Sequence, residues 1–122
     1  MTKAAVEHDL EERTGQFGER IVAFAKKITG NPVTAPLVSQ LVRSGTSVGA
    51  NCCEADDAGT KKEFRHRISI CKREARETKH WLRMIAVADP SLKEAARALW
   101  QEAKELNLIF AQIHRASAKK DS

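Results

Sequence analysis

The sequence predicts an all-α fold, an antiparallel, up-and-down, left-handed four-helix bundle. Composition points there first. Among 122 residues there are only three prolines and six glycines and no tyrosine, while the helix-favouring Ala, Glu, Lys, Arg and Leu dominate. Four segments repeat apolar side chains at the helical period. The turn signals between them are short, which makes successive helices antiparallel neighbours. One chain of this length is expected to form one domain over residues 1–122.

Helix one is placed at about residues 16–29, where Phe17, Ile21, Phe24 and Ile28 fall on one face and Gly30-Asn31-Pro32 stops the run. The polar residues 1–15 before it read as a loose N-terminal tail. Helix two covers about 36–54, with Thr34 as the expected N-cap and Pro36 in a first turn that needs no amide hydrogen. Its inner face is Leu37, Leu41, Val48 and Cys52, with Ser44 or Gly45 in the turn between.

Helix three, about 60–88, opens on the capping box Thr60-Lys-Lys-Glu63. Phe64, Ile68, Cys71, Ala75, Thr78, Leu82 and Ile85 then alternate by four and three residues, a seam of three heptads. Ala88-Asp89-Pro90 ends it. Helix four, about 91–117, begins at Ser91-Leu-Lys-Glu94, a second expected capping box, and turns Leu92, Ala95, Leu99, Leu106, Phe110 and Ile113 inward.

Several function classes can be weighed from the residues. No run of eighteen apolar residues spans a membrane, and the first twenty residues lack the apolar core of a secretory signal. Three cysteines, two of them adjacent at Cys52 and Cys53, do not suit a secreted disulfide framework or a paired zinc motif. A cytoplasmic protein is expected. Gly45-Thr-Ser-Val-Gly49 matches the G-x-S-x-G elbow of serine hydrolases, but that elbow needs a strand before the serine and a large α/β sheet around it. Here helical spacing runs straight through the motif. Ser47 is therefore read as a small helix residue beside glycines that admit a close neighbour, and no catalytic residue is assigned. Glu63–His66 and Glu77–His80 match the Glu-x-x-His element of di-iron bundles, yet both lie on helix three, whereas such a centre needs two helices to carry them. No metal and no cofactor are expected.

Two polar features remain. Gln40, Arg43, Ser47, Asn51 and Glu54 form a stripe beside the apolar face of helix two. On helix three Ile70, Glu74, Glu77, Trp81, Met84 and Ala88 form a second stripe one position before the seam. Arg43, Asn51, Glu54, Glu74, Glu77, Trp81 and Met84 are accordingly read as an oligomer interface or as buried polar groups, with Arg43 pairing with Glu74, Glu77 or Glu54 within or between subunits. The bland alternative is a solvated flank with ordinary ion pairs.

The second feature carries the charge. The formal net charge is +5, and residues 60–86 hold nine basic against three acidic side chains, more than the whole excess. Lys62, Arg65, Ser69, Lys72, Arg76, Lys79 and Arg83 alternate by three and four residues along a flank of helix three read as its outer surface, with Arg67 and Arg73 beside them. That ridge is about 31 Å long, over which one nucleic-acid strand presents about nine phosphates. Lys62, Arg65, Lys72, Arg73, Arg76, Lys79 and Arg83 are the candidate nucleic-acid contacts, to RNA or DNA backbone. No aromatic residue lies on the ridge, so base stacking is not expected. The alternatives are a charged face serving only solubility, or a scaffold whose ridge docks an acidic protein partner.

The segment Leu41-Val-Arg-Ser-Gly-Thr-Ser-Val-Gly-Ala-Asn-Cys-Cys-Glu54, followed by Lys61-Lys-Glu-Phe64 and Cys71-Lys-Arg-Glu-Ala-Arg-Glu-Thr-Lys-His-Trp-Leu82, resembles the small bacterial four-helix bundle proteins encoded in intervening sequences of 23S ribosomal RNA genes. Ala55 and Ala58 stand where much of that family has Gly and Arg. The resemblance implies a non-enzymatic bundle that assembles into a homo-oligomeric ring, a pentamer. It also implies kinship with a basic bundle that accompanies the reverse transcriptase of diversity-generating retroelements and binds nucleic acid.

Overall fold

The computed structural model describes residues 3–120, with side chains described for residues 9–118. Among them the chain forms α1 (Lys3–Ala25), α2 (Thr34–Asp56), α3 (Lys61–Ala88), a 3₁₀ turn (Pro90–Leu92) and α4 (Lys93–Lys120). Each helix packs on the next in sequence, and α4 closes the ring against α1 through a narrower seam. Residue pairing across the contacts runs in opposite directions. Arg43 meets Glu74 while Asn51 meets Arg67, and Lys79 meets Trp100 while Lys72 meets Asn107. The bundle is therefore antiparallel throughout.

The core follows the predicted faces. Phe17, Ile21, Leu41, Val48, Cys71, Leu82, Ile85, Leu106 and Phe110 are buried, and Ser44 and Thr78 join them. These two hydroxyls lie 3.0 Å apart, and Thr78 donates to the Glu74 carbonyl at 2.7 Å, so neither is left unsatisfied in the interior. On α4 the inner face includes Ala96 and Ala103, whereas Ala95, expected inside, is exposed. Cys52 and Cys71 behave as apolar core residues, and burial first of all pushes the Cys52 thiol up to about 11.

The N-terminal segment departs from expectation. Residues 3–15, read as part of a loose tail, are the first turns of α1; residues 1 and 2 lie outside the described residues. Leu10 and Thr14 continue the stripe of Phe17, Ile21 and Phe24 and are buried. A threonine can sit there because its hydroxyl donates to the Leu10 carbonyl at 2.7 Å. Outside the core, Arg13 grips Glu102 of α4 in a two-point contact of 2.7 and 2.9 Å, with Glu105 3.6 Å away.

That contact has an acid signature. The hydrogen bond from Arg13 holds the Glu102 carboxyl below its ordinary value of 4.5, against the opposing effect of burial. Glu102 thus binds its proton more weakly folded than unfolded, so its stabilisation is complete above that ordinary value and is lost as pH falls through the depressed one. With Arg13 38% exposed, Glu102→Gln is expected to cost about 0.5–1 kcal/mol at pH 7 and less as the pH approaches 3. Urea melts of both proteins at pH 7, 5 and 3 check this, and a difference independent of pH refutes the assignment.

Helix ends also differ from expectation in instructive ways. Helix α1 ends at Ala25 rather than 29, its exit tightened by i→i−3 bonds from Lys27 and Ile28. At α2 the capping side chain is Asn31, whose Oδ1 accepts from the amides of Val33 and Thr34 at 2.9 Å. Thr34 is instead a buried tie, donating to the Thr29 carbonyl at 2.7 Å. The Thr60 box forms as predicted at its first arm, Thr60 Oγ1 accepting from the Glu63 amide at 3.1 Å. Glu63 returns to Gly59 N–H rather than to Thr60. Before α4 it is Asp89, not Ser91, that caps. Its carboxylate accepts from the amide and hydroxyl of Ser91 because Pro90 forces a 3₁₀ turn first.

Candidate nucleic-acid interface

The seam of α3 fixes how that helix is rotated, and the rotation decides what happens to the residues on either flank. On the α2 side, Arg43 bridges two carboxylates of α3. Its Nη1 donates to Glu74 at 3.0 Å, and its Nη2 pairs with Glu77. Glu74 is buried, so the expected Arg43 pairing falls within one chain. Asn51 donates to the Ser47 carbonyl at 2.9 Å and accepts from Arg67 at 3.1 Å. Arg67 is thereby drawn off the ridge toward α2. Glu54 is exposed, while Ile70, Trp81, Met84 and Ala88 are half-buried, Trp81 lying edge-on to His80 with ring centroids 4.8 Å apart.

On the α4 side the basic ridge is less open than expected. Lys62, Arg73, Arg76 and Arg83 are exposed, but Arg65, Ser69, Lys72 and Lys79 are half-buried. The reason is α4, which lies alongside them. Asn107 Nδ2 donates to the Lys72 carbonyl at 2.8 Å, and Lys79 Nζ stands 5.1 Å from the centre of the Trp100 ring. Lys104 of α4 approaches the same ring at 5.6 Å. His114 faces Arg65 and Lys72. Burial first, and those two charges next, hold its imidazole below the ordinary value of 6.5, so at neutral pH it contributes a hydrogen-bonding ring rather than another charge. The ridge is therefore a two-helix strip along α3 and α4, and it contains an aromatic residue that periodicity on α3 alone could not reveal.

Charge pairing separates the two flanks. Every carboxylate of α3 beyond its first turn is turned to Arg43, whereas among the described residues none of Lys62, Lys72, Arg73, Arg76, Lys79 and Arg83 meets a carboxylate. Among the described residues the positive potential of these six side chains is left uncompensated.

The hydrolase-like motif is packing. Ser47 Oγ donates to the Arg43 carbonyl at 2.6 Å inside α2. A Cβ on Gly45 would stand 2.8 Å from both γ-carbons of Ile21, and one on Gly49 would stand 3.2 Å from the Thr14 carbonyl oxygen. These glycines let α1 and α2 approach closely. On the outer side of the same contact a shallow recess of about 540 Å³ is lined by small residues such as Gly15, Gly18 and Ala50, with Glu11 and Cys53 at one end. Among the described residues no three His, Cys, Asp or Glu side chains converge to hold a metal ion, and no helix is long and apolar enough to cross a membrane.

Comparison with known proteins agrees with this architecture. The family described as 23S rRNA-intervening sequence protein matches residues 7–112. A solved structure from Bacteroides thetaiotaomicron VPI-5482, described as a protein with unknown function from the S23 ribosomal protein family, superposes with a TM-score of 0.77 at 25% identity, covering 89% of this chain and 97% of that one. No curated protein matches the chain.

Proposed function

The chain belongs to the 23S rRNA-intervening sequence protein family, and from that premise we propose that it is a non-enzymatic, self-associating bundle that binds the phosphate backbone of RNA or DNA. One observation carries the reading: the strip formed by Lys62, Lys72, Arg73, Arg76, Lys79 and Arg83 has no carboxylate partner among the described residues, although the chain has 16 acidic side chains to offer. A merely soluble helical face normally intersperses both signs. A strip of one sign about 31 Å long suits a polyanion that releases counterions on binding.

Binding of this kind has a defined salt dependence. Fluorescence anisotropy of a labelled 20-nucleotide RNA is expected to show log affinity falling linearly with log salt, losing about 0.7 per phosphate contact on a single strand. Affinity unaffected by salt between 50 and 300 mM refutes the reading.

Self-association is supported by the half-buried stripe of Ile70, Trp81, Met84 and Ala88 next to exposed Val87, which continues the apolar surface beyond what the bundle covers. A ring of five, as the family resemblance implies, repeats the strip once per subunit and multiplies its field. Light scattering at tens of micromolar is expected to give a multiple of the 13.5 kDa chain mass. A monomer at that concentration excludes the assembly.

A further inference from the structure

The two ammonium groups at Trp100 pose a physical problem of their own. Lys79 Nζ and Lys104 Nζ stand 5.1 and 5.6 Å from one ring centre, and neither meets a carboxylate among the described residues. Like charges brought to one ring repel each other. The quadrupole of the indole offsets that only in part, because the site is open enough for water to screen it. A bound anion between the two would relieve the repulsion. Trp100 itself is half-buried, its inner part packed against the core and the rest reaching solvent beside the ridge. A rigid aromatic, anchored on one side and flanked by two unpaired cations, is the arrangement that receives a nucleobase while the cations take the adjoining phosphates.

We infer that Trp100, with Lys79 and Lys104, is a base-stacking subsite, and that the basic strip therefore prefers single-stranded nucleic acid to duplex. This rests on the phosphate-binding reading of the strip and adds to it a contact with the base. The distinction between strand forms follows from access. In a duplex the base faces are covered by their neighbours in the stack, so Trp100 meets only backbone there. A single strand can turn one base out onto the ring. As a phosphate draws Lys79 or Lys104 away from the indole, the ring face it covered becomes available to that base. Polyanion and base then bind as a unit. Sequence preference is weak, since every base offers a π face.

The test uses the full chain with three labelled probes of equal length: a ten-residue oligothymidylate, the same deoxyribose–phosphate chain without bases, and a ten-base-pair duplex. In anisotropy titrations at fixed salt, the single strand is expected to bind about tenfold more tightly than the abasic chain. Trp100→Leu is expected to abolish the preference for the single strand over the abasic chain, and Trp100→Phe is expected to keep most of it. The chain has two tryptophans, so Trp81→Phe makes Trp100 the sole emitter, which the oligothymidylate should quench and the abasic chain should not. Equal binding of the three probes by the unaltered chain, or unchanged oligothymidylate affinity in Trp100→Leu, overturns the stacking subsite while salt-dependent binding keeps the phosphate strip. If none of the probes binds at 50 mM salt, the strip reading fails and the subsite falls with it.

Discussion

Lys72→Glu combined with Arg76→Glu is expected to weaken binding of single-stranded RNA by about 100-fold or more at 0.1 M salt. Two lost phosphate contacts remove about 1.4 from the slope of log affinity against log salt, which is about 25-fold between 1 and 0.1 M. The two new carboxylates add repulsion from the same phosphates, which carries the loss further. Lys72→Gln with Arg76→Gln separates the parts, since it shows the first loss without the second. The fold should not suffer, because neither side chain meets a carboxylate among the described residues and neither belongs to the core. Thermal melts of both variants provide that control. If the charge-reversed protein folds and binds as before, the strip is a solvated face and the functional reading is wrong.

The second large effect concerns the close approach of α1 and α2. Ile21 is fully buried against Gly45, whose hydrogen occupies the place where a Cβ would stand 2.8 Å from both γ-carbons of the isoleucine. Ile21→Ala should cost about 2–5 kcal/mol through lost burial and the cavity left behind. Gly45→Ala should cost about 1–3 kcal/mol by overpacking, partly offset by about 1 kcal/mol of helix propensity. Together they should cost about 1 kcal/mol less than their sum, because the new methyl enters the space that the isoleucine vacates. Gly15→Ala is the contrasting case. A Cβ there meets nothing within 4 Å, so the substitution should stabilise α1 by about 0.5–1 kcal/mol. Urea unfolding of the four variants measures all of these, and strict additivity of the first two contradicts the packing account.

This contact also resolves the motif around Ser47. Its pattern of small residues was legible as helix packing rather than as a nucleophile because apolar spacing continued through it. The structure adds which neighbour needs those glycines, namely Ile21 and the Thr14 backbone.

Legibility followed the range of the interaction. The α3 seam, the Thr60 cap and the four helical runs are local patterns in which three or four residues of separation place side chains on one face, so the order of residues determines them. The family resemblance is likewise carried by residues close together in the chain. What escaped the sequence depended on a partner helix. Residues 3–15 looked like a tail because they are mostly polar, yet burial of Leu10 and Thr14 and the grip of Arg13 on Glu102 hold them in α1. The caps at Asn31 and Asp89 displaced those expected at Thr34 and Ser91 because the chain direction after each proline determines which carbonyl or carboxylate reaches the free amides.

The ridge shows the division most clearly. That α3 carries a basic flank about 100° round from its seam is a property of the sequence alone, since the 3.6-residue period fixes the angle between residues one position apart. Only the tertiary structure decided that α4 runs along this flank, drawing Lys79 to Trp100 and setting Asn107 against Lys72. Periodicity orients a helix about its own axis, but the angle at which its neighbour lies is set by how four inner faces fill one core.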